Sequence, residues 1–261
     1  MSSSAEVRQL IPGRRPVRPL YSGEMTAFAR NVSQLLEHVE YRRCESGEDL
    51  DDIYRLRYES YHAAGLIEDS FDRRIVDEFD NTPNSYTFGV YYDGYLVSTI
   101  RLHHITAETP VGPSMKIFRD VLEPRLARGE TFVDPSRFAG DPDWSVALKV
   151  VPYLTLRLAQ VACRYFDPSA CLTTVREEHV AFYKRILYAE EVMGARQYPG
   201  LTVSGHLYQS VYPEACDKVA ERFPFFESTP MEQRMLFERR QGELAPLTVL
   251  PTAKYLLPRA A

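Results

Sequence analysis

The stretch Thr131-Phe132-Val133-Asp134-Pro135-Ser136-Arg137-Phe138-Ala139-Gly140 brings a carboxylate, a hydroxyl and a guanidinium within four positions. It begins as a strand, because Thr131, Phe132 and Val133 favour extended backbone. Pro135 has no N–H to give to a sheet ladder, so it marks an edge, a bulge or a splayed strand. A strand with such a defect beside charged side chains can hold a ligand. The same residues would also serve as an ordinary ion pair at a strand end. Three other places carry charge that needs explaining. Arg57 shares a helical face with Leu50, Ile53, Tyr54 and Tyr61, and an inward arginine requires a partner unless it snorkels to the helix edge. Asp77 and Asp80 flank Phe79 in a long acidic loop, and Arg101 stands near the end of an alternating segment. His103 and His104 are adjacent on that segment and so point to opposite faces, which makes them a poor metal pair.

The elements that must position these residues follow from period and punctuation. Residues 1–24 read as a basic, Pro-rich arm, 25–228 as one folded domain, and 229–261 as a C-terminal tail that is polar and irregular from Ser228. A helix is expected from Glu24 to His38 and a strand from Val39 to Cys44. Ser46 as N-cap, with Asp49 three residues on, starts a helix that Gly65 ends. Residues 66–84 form a long loop. Ser85–Tyr92 and Tyr95–His104 alternate around Asp93-Gly94, a type I′ hairpin turn. Further helices are expected at Ser114–Arg128, Trp144–Tyr165, Glu177–Met193 and Pro213–Glu221, with strands at Ala170–Val175 and Leu201–Tyr208. Helices alternating with strands, and a hairpin between them, give an α/β fold with a mixed central sheet flanked by helices.

Composition narrows the class. At 261 residues, 44% hydrophobic and 26% charged, the chain can bury a full core. A net charge of −5 gives no overall signal for nucleic acid. The four cysteines are widely separated and form no C-x-x-C pair, which argues against a zinc or disulfide framework and for a reducing cytoplasmic setting. No apolar run is long enough for a membrane span, and no hydrophobic segment follows the N-terminal charges. The chain contains no G-x-G-x-x-G, no P-loop and no G-x-S-x-G elbow.

Four blocks now stand in order: Arg57-Tyr58-Glu59-Ser60-Tyr61, Asp77-Glu78-Phe79-Asp80, Ile100-Arg101-Leu102 and Asp134-Pro135-Ser136-Arg137-Phe138. This order resembles the long-chain N-acyl amino acid synthases and the acyl-homoserine-lactone (autoinducer) synthases, two families of GNAT-like acyltransferases. Met115-Lys116-Ile117-Phe118 is similar to the family's helix entrance before the last block. The resemblance spans roughly residues 39–210 and implies the GNAT-like (acyl-CoA N-acyltransferase) fold. It implies that a fatty acyl group passes from an acyl carrier protein or coenzyme A thioester to the amine of an amino acid, with no metal and no further cofactor. Partners would be acyl carrier protein and a free amino acid. Asp134, Ser136, Arg137 and Tyr183 would carry the chemistry. Arg57, Tyr61, Asp77, Asp80, Arg101, Phe118 and Phe138 would bind substrate, with Leu154 also lining the acyl slot. Arg101 and Arg137 could hold the acceptor's carboxylate or bond to Asp77 and Asp80 as scaffold, and Tyr183 could protonate the leaving thiolate or simply pack.

Two departures are visible. The family pattern has glutamate where this chain has Asp134, one methylene shorter, which favours a bridging water. The lactone synthases carry a tryptophan after the first helix, where this chain has the region of Ile67, which counts against the lactone reading. That reading, with S-adenosylmethionine as substrate, stays as an alternative. So does a non-catalytic acyl-chain or carrier-protein binding module. Lys149, Arg157, Arg164 and Arg185 are basic positions that could meet an acidic carrier protein or be ordinary solvated residues.

Overall fold

A computed structural model describes residues 25–197, 203–239 and 247–256; the N-terminal arm and, in the C-terminal segment, residues 240–246 and 257–261 lie outside these. The first helix, Ala27–Leu35 (α1), starts behind Thr26, whose hydroxyl accepts from the Ala29 N–H at 3.1 Å. A short 3-10 turn leads to a strand at Val39–Arg43 (β1). Helix Gly47–Ala63 (α2) stops near Gly65, where φ is +67°. Ser46 occupies its N-cap position, but its side chain makes no capping bond, so the expected motif is not formed. Strands Ser85–Tyr92 (β2) and Tyr95–Ile105 (β3) form the hairpin, and Asp93 and Gly94 both have the positive φ that a type I′ turn requires.

Two expected helices are each divided. Ser114–Arg128 becomes Pro113–Ile117 (α3) and Arg119–Leu126 (α4), because Phe118 leaves helical backbone to drop into an apolar cluster with Met115, Leu122 and Phe132. Strand Phe132–Gly140 (β4) follows. Trp144–Tyr165 becomes Pro142–Ala147 (α5) and Val151–Phe166 (α6). Pro152 cannot continue a helix from Trp144, but it suits a first turn.

Strand Ala170–Val175 (β5) and helix Glu177–Leu187 (α7) come next. The helix was expected to reach Met193. It stops instead at Tyr188, in the left-handed region, and Glu190–Gln197 forms an edge strand (β6). Pairing with the strand Ser204–Val211 (β7) overrides the local helical preference there. Helix Glu214–Arg222 (α8) leads toward the segment from Ser228 that reads as irregular, yet Pro230–Phe237 is a helix (α9), and Thr248–Val249 (β8) adds a short edge.

The strands form one sheet in the order β6-β7-β5-β4-β3-β2-β1-β8. All described pairings are antiparallel except β4 with β5. Helices α2, α3 and α4 cover one face, and α1, α6, α7, α8 and α9 cover the other, which holds the larger core. No helix among the described residues is long and apolar enough to cross a membrane.

Arg157 corrects an expectation about the long helix. It is fully buried and faces neither solvent nor a carrier protein. Its Nε donates to the Phe225 carbonyl at 2.7 Å, and its guanidinium pairs with Glu232 of α9. Glu232 also accepts from the Thr252 N–H at 2.9 Å. Arg164 is likewise paired, with Asp217 at 2.7 Å and Glu227 at 3.1 Å. Arg157→Ala strands a buried carboxylate, and a loss of about 3–5 kcal/mol in urea unfolding is the expected result.

Candidate active site

Strands β4 and β5 are paired only at Phe132↔Ala170 and Val133↔Cys171. Beyond Val133 they part, and a cavity of about 740 Å³ fills the gap. Side-chain alternation sends Asp134 and Thr174 to the face under α2 and α3, and Cys171 and Thr173 to the face under α6 and α7. The cavity is lined by residues of both faces, Ser114, Asp134 and Tyr61 on the first, Leu156, Gln160 and Tyr183 on the second. It therefore passes through the sheet at the splay.

On the first face three arginines meet two aspartates. Arg57 Nη1 donates to Asp80 Oδ1 at 2.8 Å. Arg101 donates to Asp77 Oδ1 at 2.5 Å, Asp77 Oδ2 at 3.1 Å, Asp80 Oδ1 at 2.8 Å and Ser136 Oγ at 3.2 Å. Arg137 reaches Asp77 Oδ2 through Nε at 2.9 Å and Nη2 at 2.6 Å. Burial alone would raise the Asp77 carboxyl, but bonds and charge from Arg101, and then Arg137, outweigh it and hold it well below the usual carboxylate range. Arg57 and Arg101 are fully buried, and Arg57 Nε and Nη2 have no hydrogen-bond partner among the described residues. Tyr61 lies with its ring 5.9 Å from the Arg137 guanidinium.

The strand defect sits two residues past Pro135. Pro135 is in register opposite Leu102, whereas Arg137 and Phe138 together oppose Ile100. Arg137 has φ +53°, a left-handed conformation that costs a non-glycine residue. The bulge turns Arg137 to the side already used by Ser136, so adjacent residues both join the same cluster.

Asp134 is 1% exposed. Its two oxygens accept from one residue: the Ser114 N–H at 3.0 Å and the Ser114 hydroxyl at 2.7 Å. Thr174 lies 2.9 Å from Ser114 Oγ and donates to it, since the Ser114 proton is directed at Asp134. Burial pushes the Asp134 carboxyl up to about 6, against the Ser114 bonds and the charge of Arg101. Gly112 permits this approach: a Cβ there would lie 3.1 Å from Asp134 Oδ2 and 2.8 Å from Ile105 Cδ1. Directly opposite Asp134 on β3 is His103, whose Nε2–H donates to the Phe79 carbonyl at 3.1 Å. Burial, then Arg101, lowers its imidazole to about 3, so it is neutral at working pH. Ser114→Ala removes one donor from Asp134 and raises its pKa. The acid limb of kcat/KM against pH is expected to move up by about 1 unit, with little change above it.

The expected site residues thus divide. Arg57, Asp77, Asp80, Arg101, Ser136 and Arg137 form one hydrogen-bonded cluster, and Asp134, Ser136, Arg137, Tyr61, Phe138 and Tyr183 line the cavity. The Tyr183 hydroxyl has no hydrogen-bond partner among the described residues, and burial raises it above its ordinary value. Phe118 does not line the cavity: it is packed under α4 with the Arg196 guanidinium 5.1 Å from its ring. Leu154 is likewise core rather than slot wall. Ser114, Thr174 and Gln160 were not anticipated. Pro113-Ser114 at a helix start was the available signal for Ser114, since a first-turn serine leaves donors free. No group of three His, Cys, Asp or Glu side chains among the described residues could hold a metal ion.

A family model described as N-acyl amino acid synthase FeeM matches residues 52–210, a span that contains most of α2, the acidic loop, the splayed strands and the cavity walls. The chain belongs to the FeeM family of N-acyl amino acid synthases. Among solved structures this FeeM-family chain is similar to FeeM itself, from uncultured soil microbes, at 19% identity over 68% of this chain and 92% of that one, with a TM-score of 0.53. It is also similar to the CoA-dependent acyl-homoserine lactone synthase MesI, at 18% identity over 67% and 87% of the two chains, TM-score 0.48. LasI, another homoserine-lactone synthase, matches at 14% identity over 79% and 98%, TM-score 0.49. No curated protein matches the sequence. The fold is that of the GNAT-like N-acyltransferases, and this member of the FeeM family is an N-acyltransferase.

Proposed function

We propose that the chain moves a fatty acyl group from an acyl carrier protein thioester to the amine of a free amino acid. The observation that supports this most is the cavity that crosses the sheet at the β4/β5 splay, polar on the Asp134 face and largely apolar on the α6 face. A thioester carbonyl at the splay has its acyl chain on the α6 side and the acceptor amine on the Asp134 side. The amine nitrogen attacks the carbonyl carbon and loses a proton through one bridging water to the Asp134 carboxylate. With a pKa of about 6 that group is ionised at neutral pH, yet it is more basic than an ordinary aspartate. Past Val133 the β5-facing edge of β4 has no ladder partner among the described residues, and its N–H groups are the donors for the tetrahedral oxyanion. The C–S bond then breaks, and Tyr183 protonates the leaving thiolate. The family description and the name of the structural relative support an amino acid as acceptor. The proposal needs no metal and no bound cofactor, only the thioester donor.

The experiment is incubation of the purified chain with acyl carrier protein thioesters and an amino acid panel, read by mass spectrometry. N-acyl amino acids are the expected products. Lactones formed from S-adenosylmethionine, or no product with any donor and acceptor, would overturn the proposal. Tyr183→Phe is expected to lower kcat by about 10-fold with KM little changed, which separates proton donation from packing.

A further inference from the structure

We propose that Gln160 reads an oxygen on the acyl chain, so that the preferred donors carry a hydroxyl or keto group and not a plain alkyl tail; this rests on the acyl-transfer reading above. Gln160 is 5% exposed on α6, a helix whose inward positions are otherwise mostly apolar. It lines the cavity beside Leu156 and Ala159. Its amide has no hydrogen-bond partner among the described residues, and its polar atoms border the cavity instead of being sealed in the core. Other polar groups near this wall are satisfied within the protein: the Ser210 hydroxyl donates to the Leu187 carbonyl at 2.8 Å, and the Thr155 hydroxyl to the Val151 carbonyl at 2.9 Å.

An amide that faces a plain alkyl chain loses its hydrogen-bond partners when the chain enters, so an apolar residue of the same size would suit such a chain better. The amide presents both donors and an acceptor, which match a hydroxyl and, through its NH2 group, a ketone. It stands on the α6 wall, the side to which the reading above gives the acyl chain. In the crossover from β4 to β5, α6 runs antiparallel to both strands. Gln160 therefore lies about 13 Å along the helix from Val151.

The test compares acyl thioesters of equal length, unsubstituted or with a hydroxyl or keto oxygen at successive carbons, on the full chain and on Gln160→Leu. At least one oxygenated donor is expected to exceed the plain donor by about 10-fold in kcat/KM. In Gln160→Leu the ratio is expected to fall to about one. Gln160→Met serves as a second variant of similar volume. A wild-type preference for the plain chain, or an unchanged ratio in both variants, overturns the inference. Calorimetric binding of free hydroxy and plain fatty acids to the same three proteins separates this from the transfer reaction. If no thioester turns over, the proposed function falls, while a hydroxy-acid preference that the variants lose still supports the role of Gln160, and equal affinities overturn it.

Discussion

Asp134→Asn is expected to lower kcat/KM by about 10²- to 10⁴-fold at about pH 8 while the protein remains folded. Asparagine keeps the shape: its carbonyl can accept from the Ser114 N–H, and the Ser114 hydroxyl can rotate to accept from its NH2 group. What is lost is the proton acceptor. The same substitution carries a stability sign that a purely structural role would not produce. Asp134 has a folded pKa of about 6, raised from 3.8 by burial. Its contribution to stability is therefore complete below the unfolded value and is lost as pH rises through about 6. Asparagine has no charge to bury, so the variant is expected to melt higher than the parent at about pH 8 and not at about pH 4. Calorimetric scans at the two pH values, beside steady-state kinetics, check both halves. Unchanged activity would remove Asp134 from the reaction.

Arg101→Lys is expected to lose more than about 100-fold in kcat/KM and about 3 kcal/mol in stability, despite keeping the charge. Arg101 is fully buried and links Asp77, Asp80 and Ser136 through three of its nitrogens. An ammonium is one compact point and cannot span those partners. Asp77 would then hold Arg137 without its second anchor, and the bulge that turns Arg137 toward the cluster would lose its fixed end. The Asp77 carboxyl is held well below its usual range, so its stabilisation is present above the unfolded value and is lost as pH falls. The difference between parent and variant should therefore narrow at about pH 3 relative to about pH 7, as read by urea unfolding. A constant difference would mean that Arg101 matters for packing alone.

The inward face of α2 was legible because Arg57 falls on it with tyrosines, and a buried guanidinium demands an acid; Asp80 is that acid. The hairpin was legible because Asp93-Gly94 dictates its turn. The pairing of Asp134 with Arg137 suggested by their closeness in the chain does not occur. Arg137 joins Asp77, sixty positions away, and Asp134 joins Ser114, twenty positions away. The turn of Arg137 depends on a left-handed residue that no glycine or asparagine announces. The first half of the edge strand β6, Glu190–Met193, reads as the end of a helix because its residues have helical preference, and the pairing with β7 that overrides this has no turn signal such as Asp93-Gly94 to announce it.

By itself the sequence determined the elements that local rules control: the amphipathic helices, the hairpin, the glycine stops and the order of the charged blocks. These depend on side-chain period and turn chemistry within a few residues. Only the tertiary structure decided where β4 leaves β5, that the resulting cavity crosses the sheet, and which acid each arginine meets. Alternation fixes the face a side chain takes, but partner and register come from packing between distant segments. The carboxyl of Asp134 became unusual for the same reason: its pKa of about 6 is set by burial under Ser114 and Gly112, not by its neighbours in the chain.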